Sequence, residues 1–212
     1  MTATLPDTSA AERAYIDTKR RIIRGDLPGG SSLSEITVCQ ELGLSRTPVH
    51  EAFLRLAAEE LLTLESRKGA VVRPMSPSEA DDVVEMREAV EAAAARRAVA
   101  SDATELVAVL RTLLTAQREA LSAGDTDAFL EADDAFHTAV VLASRNPIAA
   151  HFSRLLHDRA HRLRHHLTRV RPDHLAVTLH DHEALADAVA RRDADAYAAV
   201  LARHVGILRG LL

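Results

Sequence analysis

The chain has one cysteine, no tryptophan and only 3% aromatic residues, and each scarcity removes a class of function. A lone Cys39 closes no internal disulfide and cannot supply a multi-cysteine zinc module, so any metal would have to be held by histidine and carboxylate. Few aromatics leave few stacking platforms for reading RNA or single strands. No run approaches the about 18 apolar residues that suggest a membrane-spanning helix. The opening MTATLPDTSAAER lacks the basic flank and apolar core of a signal peptide. A soluble cytoplasmic protein with no membrane partner is therefore expected.

What is present is globular composition: 212 residues, 47% hydrophobic and 27% charged, enough for one large domain or two modest ones and incompatible with a disordered chain. Eleven histidines stand out in a chain of net charge −5. The charge is uneven. Through Met75 ten basic residues balance ten acidic ones, so the whole deficit lies beyond it. Glycine and proline also cluster early, at Pro28-Gly29-Gly30, Gly43, Gly69, Pro74 and Pro77, and punctuate short elements. Beyond Pro77 the texture changes to long Ala/Leu/Arg/Glu-rich stretches. Ser76-Pro77-Ser78-Glu79 reads as a helix start, with Ser76 as N-cap, Pro77 at the first helical position and Glu79 completing a capping box. The border is placed at 74–77, giving domains over 1–75 and 76–212.

In the first domain a helix over 10–24 ends at Gly25. A short helix follows Ser32 or Ser34 and is closed by Leu42-Gly43. A third helix starts at Ser45 and carries the apolar stripe Val49, Ala52, Phe53 and Leu56. Leu61-Leu62-Thr63-Leu64 and Ala70-Val71-Val72-Arg73 flank a basic turn, giving two short strands. Three helices and a hairpin make a winged helix-turn-helix. The second domain reads as six helices, with starts at Pro77, after Ser101-Asp102, after Gly124-Asp125, at Asn146-Pro147, near 173 and near 194. The second of them carries Leu106, Val109, Leu110, Leu113, Leu114 and Leu121 as one apolar face. The fold expected is mainly α: an N-terminal winged helix-turn-helix joined to an antiparallel bundle of about six helices.

A helix-turn-helix contacts double-stranded DNA with the first residues of its second helix. Here these are Arg46, Thr47 and, one turn on, His50. Arg46 can bond guanine bidentately, and Thr47 can meet a phosphate or a thymine methyl. Arg67 and Lys68 on the wing would meet backbone or minor groove. The competing reading makes these residues solvated surface, since the same geometry also serves protein contacts. The string Leu42-Gly43-Leu44-Ser45-Arg46-Thr47-Pro48-Val49-His50-Glu51-Ala52-Phe53, followed by Glu60-Leu61-Leu62 and Gly69-Ala70-Val71-Val72, resembles the DNA-binding domain of GntR-family bacterial transcription regulators over residues 11–75. That resemblance implies base readout by Arg46, with Thr47 and the wing glycine Gly69 placing the backbone on DNA. It departs at His50, where the family usually has arginine. An imidazole offers fewer donors than a guanidinium, so operator sequence or affinity should differ.

Four residues suggest a metal site. Asp133 and His137, at i and i+4, share one helix face. His182 and His204 lie equally far from the Arg192-Asp193 turn, so two helices folded back there should bring them face to face. Together they offer three imidazoles and a carboxylate, a set suited to zinc first and also to nickel, manganese or iron; the alternative is histidines that merely hydrogen-bond within a core. Asp133-Asp134-Ala135-Phe136-His137, Ser144-Arg145-Asn146-Pro147, His182-Glu183-Ala184-Leu185 and Arg203-His204-Val205 resemble, in order, the FCD effector domain of the FadR-like GntR subfamily. The resemblance implies that Asp133, His137, His182 and His204 bind a divalent metal under an effector pocket. Arg87 matches another family element and either binds an effector carboxylate or pairs with Glu91. Asn146 is either a helix cap or an effector ligand. His151, His157, His161, His165 and His166, interleaved with Arg154, Arg159, Arg162 and Arg164, read as mostly a solvated, partly basic face. His174 has no evident role, and His180 points away from His182.

The leading reading is a metabolite-responsive transcription regulator, a repressor, binding a palindromic operator as a homodimer with a small carboxylate effector. The competing reading is a metal-dependent hydrolase using the same aspartate and three histidines. A third treats the metal as purely structural.

Overall fold

Helix α1 (Ala10–Arg24) starts where the Ser9 hydroxyl accepts from the Glu12 N–H, and it stops where Gly25 turns left-handed at φ 79°. The computed structural model describes residues 9–65, 69–171 and 173–210, and the chain separates into two compact units between Met75 and Ser76. After α1 the first unit contains β1 (Ser32–Leu33), α2 (Glu35–Leu42), α3 (Arg46–Ala58), β2 (Leu62–Glu65) and β3 (Gly69–Val72). Ser34 caps α2, while Ser32 enters β1, a two-residue strand too short for alternation to announce. β3 pairs antiparallel with both other strands, in the order β1-β3-β2 with Leu33 opposite Ala70 and Leu62 opposite Val72. The wing turn with Arg67 and Lys68 lies outside the described residues.

The α3 stripe is buried: Val49, Ala52, Phe53 and Leu56 close on Ile22 of α1, Val38 of α2, and Leu62 and Val72 of the sheet. Each such large apolar side chain contributes about 1.5–3 kcal/mol on burial, which fixes the pitch of α3 on α1 and leaves its opposite face to solvent. Gly69 starts β3 at φ 95°, and a Cβ there would stand 2.4 Å from the Leu33 carbonyl oxygen. Both the backbone conformation and the approach of β1 therefore require glycine. Gly69→Ala is expected to destabilise the protein by more than about 1 kcal/mol, read as a lower urea midpoint at unchanged slope. A variant as stable as the parent would show that β1 can move away at little cost.

The second unit is all helix: α4 (Pro77–Ala100), α5 (Thr104–Ala123), α6 (Thr126–Ala143), α7 (Pro147–Val170), α8 (His174–Ala190) and α9 (Ala194–Gly206). Its starts follow the sequence signals. Ser76, Asp125, Asn146 and Asp193 each accept backbone N–H groups in the first turn of the helix that follows. The Glu79 carboxylate reaches Arg159 Nε on α7 at 3.4 Å, an interhelical contact that a capping pattern does not foretell. On α5 the buried stripe is narrower than its leucines suggest, because Leu106, Leu110 and Leu114 are covered while Val109 is 41% exposed. α5 folds back on α6 and α8 on α9, and α4 packs against α6, α7 and α9. The mainly α architecture, with a winged head and a six-helix bundle, is that expected from the sequence. Among the described residues no helix is long and apolar enough to cross a membrane.

Candidate metal centre and DNA-reading face

The α8–α9 hairpin turns at Arg192, in a left-handed conformation at φ 56°, and Asp193 then caps α9. Equal rise on either side of that turn brings His182 Nε2 to 3.3 Å from His204 Nε2. α6 supplies the other two groups: His137 Nε2 lies 3.1 Å, and Asp133 Oδ1 3.4 Å, from His182 Nε2. All four side chains are buried, and one potential ligand atom from each lies within 4.8 Å of the others. Ligand atoms about 2.0–2.1 Å from one ion stand about 2.8–3.4 Å apart at octahedral or tetrahedral angles, so the three spacings to His182 Nε2 suit a single ion.

The outer edges of the rings support that fit. His182 Nδ1 faces Gln117 Oε1 on α5 at 2.8 Å, His137 Nδ1 faces Glu91 Oε2 on α4 at 2.6 Å, and His204 Nδ1 faces Asp181 Oδ2 at 3.7 Å. Gln117 Oε1 accepts from His182 Nδ1, whereas the Glu91 carboxylate stands at ion-pair distance from His137 and Asp181 acts on His204 only through its charge. With the proton of each ring on Nδ1, the three Nε2 lone pairs would converge on one point, an arrangement that a cation relieves. Asp133 Oδ2 is ion-paired with Arg164 Nε at 3.1 Å, while Oδ1 accepts no hydrogen bond among the described residues and is left for a metal. Phe136 stacks on His182 with centroids 4.6 Å apart, closing the apolar side.

Electrostatics keeps the set ready for a cation. Burial would raise the Asp133 carboxyl, but Arg164 and the facing imidazoles outweigh it and hold it far below the usual carboxylate range. Burial pushes His182 well below 6.5, and it pushes His204 down to about 4 despite the nearby Asp181 carboxylate. Both rings are therefore neutral and ligand-competent at neutral pH. The sign of the stability effect follows. Between pH 6.5 and about 4 the unfolded chain takes up protons at these histidines while the native metal-free chain does not. Metal-free protein is expected to lose stability as pH falls through that window, seen as a falling urea midpoint; a midpoint flat from pH 7 to 4.5 would contradict these depressed values.

Arg87 and Glu91 form a buried pair on α4, with Arg87 Nε donating to Glu91 Oε1 at 2.6 Å. Burial disfavours the Arg87 charge, yet Glu91 and Asp133 raise its pKa overall. Its Nη2 has no partner among the described residues. Arg87 and Arg164 both line two small cavities that flank the cluster. One reaches His137 and Glu91 between α6 and α7; the other reaches Asp133, His204, His174 and Thr178. Asn146 caps α7 through Oδ1, accepting from the Ile148 and Ala149 N–H groups, and lies outside both linings.

One part of the sequence reading needs correction. α7 does not present all its basic residues to solvent: Arg164 and His165 are buried, with Arg164 Nε 3.1 Å from Asp133 Oδ2 and its Nη2 against Asp134. Burial pushes the Arg164 guanidinium down to about 10, with Asp133 opposing the shift. Its neighbours on α7 are arginines and histidines too, so composition could not single it out. Gln117 was detectable, because it continues the Leu106, Leu110, Leu114 stripe as a polar residue in an apolar row. Glu183 lies away from the cluster, paired with Arg118 at 2.8 Å. His174 is buried and bonds Thr178 Oγ1 at 2.9 Å, while His180 is not buried with the cluster.

In the first unit Arg46 and Thr47 open α3 and are exposed. Among the described residues the Arg46 side chain makes no hydrogen bond or ion pair. Ser45 makes no side-chain capping bond, leaving the first N–H groups of α3 to other acceptors. His50, one turn on, is tied by Nδ1 to Glu35 Oε1 at 2.7 Å, so α2 orients it.

A helix-turn-helix with a short wing, carried on the same chain as a helical bundle, is the architecture of a DNA-binding regulator. The chain belongs to the GntR family: residues 10–72 match the family of bacterial regulatory proteins called gntR, and residues 82–206 match the FCD domain. It is 36% identical over 131 residues to an HTH-type transcriptional regulator in the TAR-I ttuE-ttuC' intergenic region of Agrobacterium vitis, covering 60% of this chain and 77% of that one. It is 28% identical over 206 residues to the HTH-type transcriptional repressor RspR of Escherichia coli strain K12, covering 94% and 87%. The structure of E. coli McbR/YncC superposes with a TM-score of 0.78 at 25% identity, covering 94% of this chain and 97% of that one. The protein is a DNA-binding transcription regulator, not an enzyme.

Proposed function

We propose that this protein is a metabolite-responsive repressor acting in the cytoplasm, bound as a homodimer to a palindromic operator and holding a divalent metal beside a small carboxylate effector. The observation that carries this reading is the buried cluster of one carboxylate and three imidazoles beside Arg87, a cavity-lining arginine whose buried Nη2 has no hydrogen-bond partner among the described residues. Asp133, His137, His182 and His204 would hold the ion. Zinc, nickel, manganese and iron all suit one carboxylate and three imidazoles. When bound, the ion supplies a Lewis-acid partner for an effector oxygen.

The protein's own groups do the rest. Glu91 fixes the Arg87 guanidinium and leaves Nη2 to donate to a carboxylate, a charge-assisted bond in a desolvated site. Arg164 orients Asp133 and adds positive charge on the side shared by both cavities. A ligand held by groups on α4, α6 and α7 favours one arrangement of those helices, and operator affinity changes by the differential binding energy. At the other end Arg46 reads base edges while Thr47 and His50 contact DNA beside it. Arg67 and Lys68 serve the wing, and Gly69 sets its backbone. A head of this size reads one half-site, and two-fold pairing supplies the second. The repressor sense follows the named activity of RspR.

The test is operator binding by metal-loaded protein on DNA from its own promoter region, followed by anisotropy during titration with small hydroxy- and dicarboxylates. Two chains per operator are expected, with one carboxylate class weakening binding by at least about tenfold, the scale of ordinary allosteric coupling. Tight operator binding that no carboxylate alters would remove the effector reading, and one chain per operator would remove the homodimer.

A further inference from the structure

We infer that the exposed apolar strip formed by Leu142, Ile148, Phe152 and Leu155, at the end of α6 and along the first half of α7, is the surface through which two copies of this chain pair. This rests on the homodimer reading above and adds where the copies meet. The four side chains are 58%, 63%, 46% and 54% exposed. They make up half of the large hydrophobics exposed on the described residues of the helical unit, within fourteen positions of the chain. The protein has only four phenylalanines. Phe53, Phe129 and Phe136 are fully buried, and Phe152 alone among them faces outward.

The spacing points to a second copy as the occupant. Ile148, Phe152 and Leu155 recur at i, i+4 and i+7 and form one stripe on α7. Ile148 and Leu155 lie equally far from the midpoint between His151 and Phe152. Two α7 helices crossing antiparallel about a two-fold axis at that midpoint would set Ile148 against the partner subunit's Leu155, with both Phe152 rings at the centre. The same rotation sets exposed Arg145, at the turn before α7, beside the partner subunit's Asp158, giving the apolar centre a rim of opposite charges. Such self-complementarity is what an isologous interface requires. At the exposure observed, four such side chains offer roughly 400 Å2 of apolar surface, close to the apolar share of the about 800 Å2 that each partner contributes to a standard interface.

The experiment measures the mass of the full, metal-loaded chain by light scattering and sedimentation at micromolar concentration. The parent is compared with Ile148→Glu/Phe152→Glu, and circular dichroism and metal content are recorded for both. A dimeric parent and a monomeric variant of unchanged helix and metal content support the surface. A second arm uses Phe152→Cys in a Cys39→Ala background under mild oxidation, with Thr112→Cys on α5 as the control. Rapid covalent dimer from position 152 and none from 112 is expected, and it does not depend on the charged variant folding. A dimeric parent whose charged variant stays dimeric, or whose Phe152→Cys variant fails to cross-link, overturns this surface and leaves the homodimer standing. A monomeric parent overturns the homodimer reading itself.

Discussion

Replacing His182 with alanine is expected to reduce bound metal from about one ion per chain to below about a tenth of that, and to abolish any rise in thermal midpoint on metal addition. His182 is the hub of the cluster: its Nε2 lies within 3.4 Å of His137, His204 and Asp133. The other ligands gain no substitute, because the ring is fully buried between Phe136 and Gln117. Loss of an outer partner of a ligating histidine already costs about 10–100-fold in affinity, and loss of the ligand itself should exceed that. The substitution also empties a buried volume, costing about 2–4 kcal/mol by analogy with other large-to-small core changes. Part of this is offset, because two facing lone pairs lose a neighbour. Elemental analysis and melting curves with and without metal separate the two effects. A His182→Ala protein that retains a full equivalent of metal would show that the cluster is only a core hydrogen-bond network.

Arg46→Ala is expected to weaken operator binding by about 5–150-fold for each half-site, the 1–3 kcal/mol of one bidentate base contact. The effect should multiply when both heads of a dimer carry the change. Arg46 is exposed at the first position of α3, and its side chain makes no hydrogen bond or ion pair among the described residues, so its loss should leave stability unchanged within about 0.5 kcal/mol. That separation makes the result interpretable. Specificity should relax at one base pair per half-site, whereas losing a phosphate contact would weaken all sequences alike. Equal affinity of parent and variant for operator DNA would move base readout elsewhere on α3. His50 shows how the head can differ from its relatives: tied to Glu35, it presents a ring edge where the family usually carries a guanidinium.

Much of the architecture is legible in local chemistry. Ser76-Pro77, Asp125, Asn146-Pro147 and Asp193 mark helix starts because capping is decided by the first turn alone. The α3 stripe identifies its buried face because 3.6-residue periodicity is a property of one helix. Even the meeting of His182 and His204 is countable, since a tight hairpin relates two helices by a single turn. β1 escaped detection because two residues carry no period, and its existence depends on Gly69 letting Leu33 approach.

The sequence alone therefore determined the two-part architecture, the family and the four residues of the cluster, since each rests on local signals or short-range counting. Tertiary structure decided what surrounds them. Only packing shows that Arg164 is drawn from a basic helix face onto Asp133, that Glu91, Gln117 and Asp181 face the outer nitrogens of the three imidazoles, and that Arg87 stands between two cavities. These contacts join α4, α5, α6, α7 and α8 across long stretches of chain. Burial and the sign of a neighbouring charge belong to that arrangement and to no segment by itself.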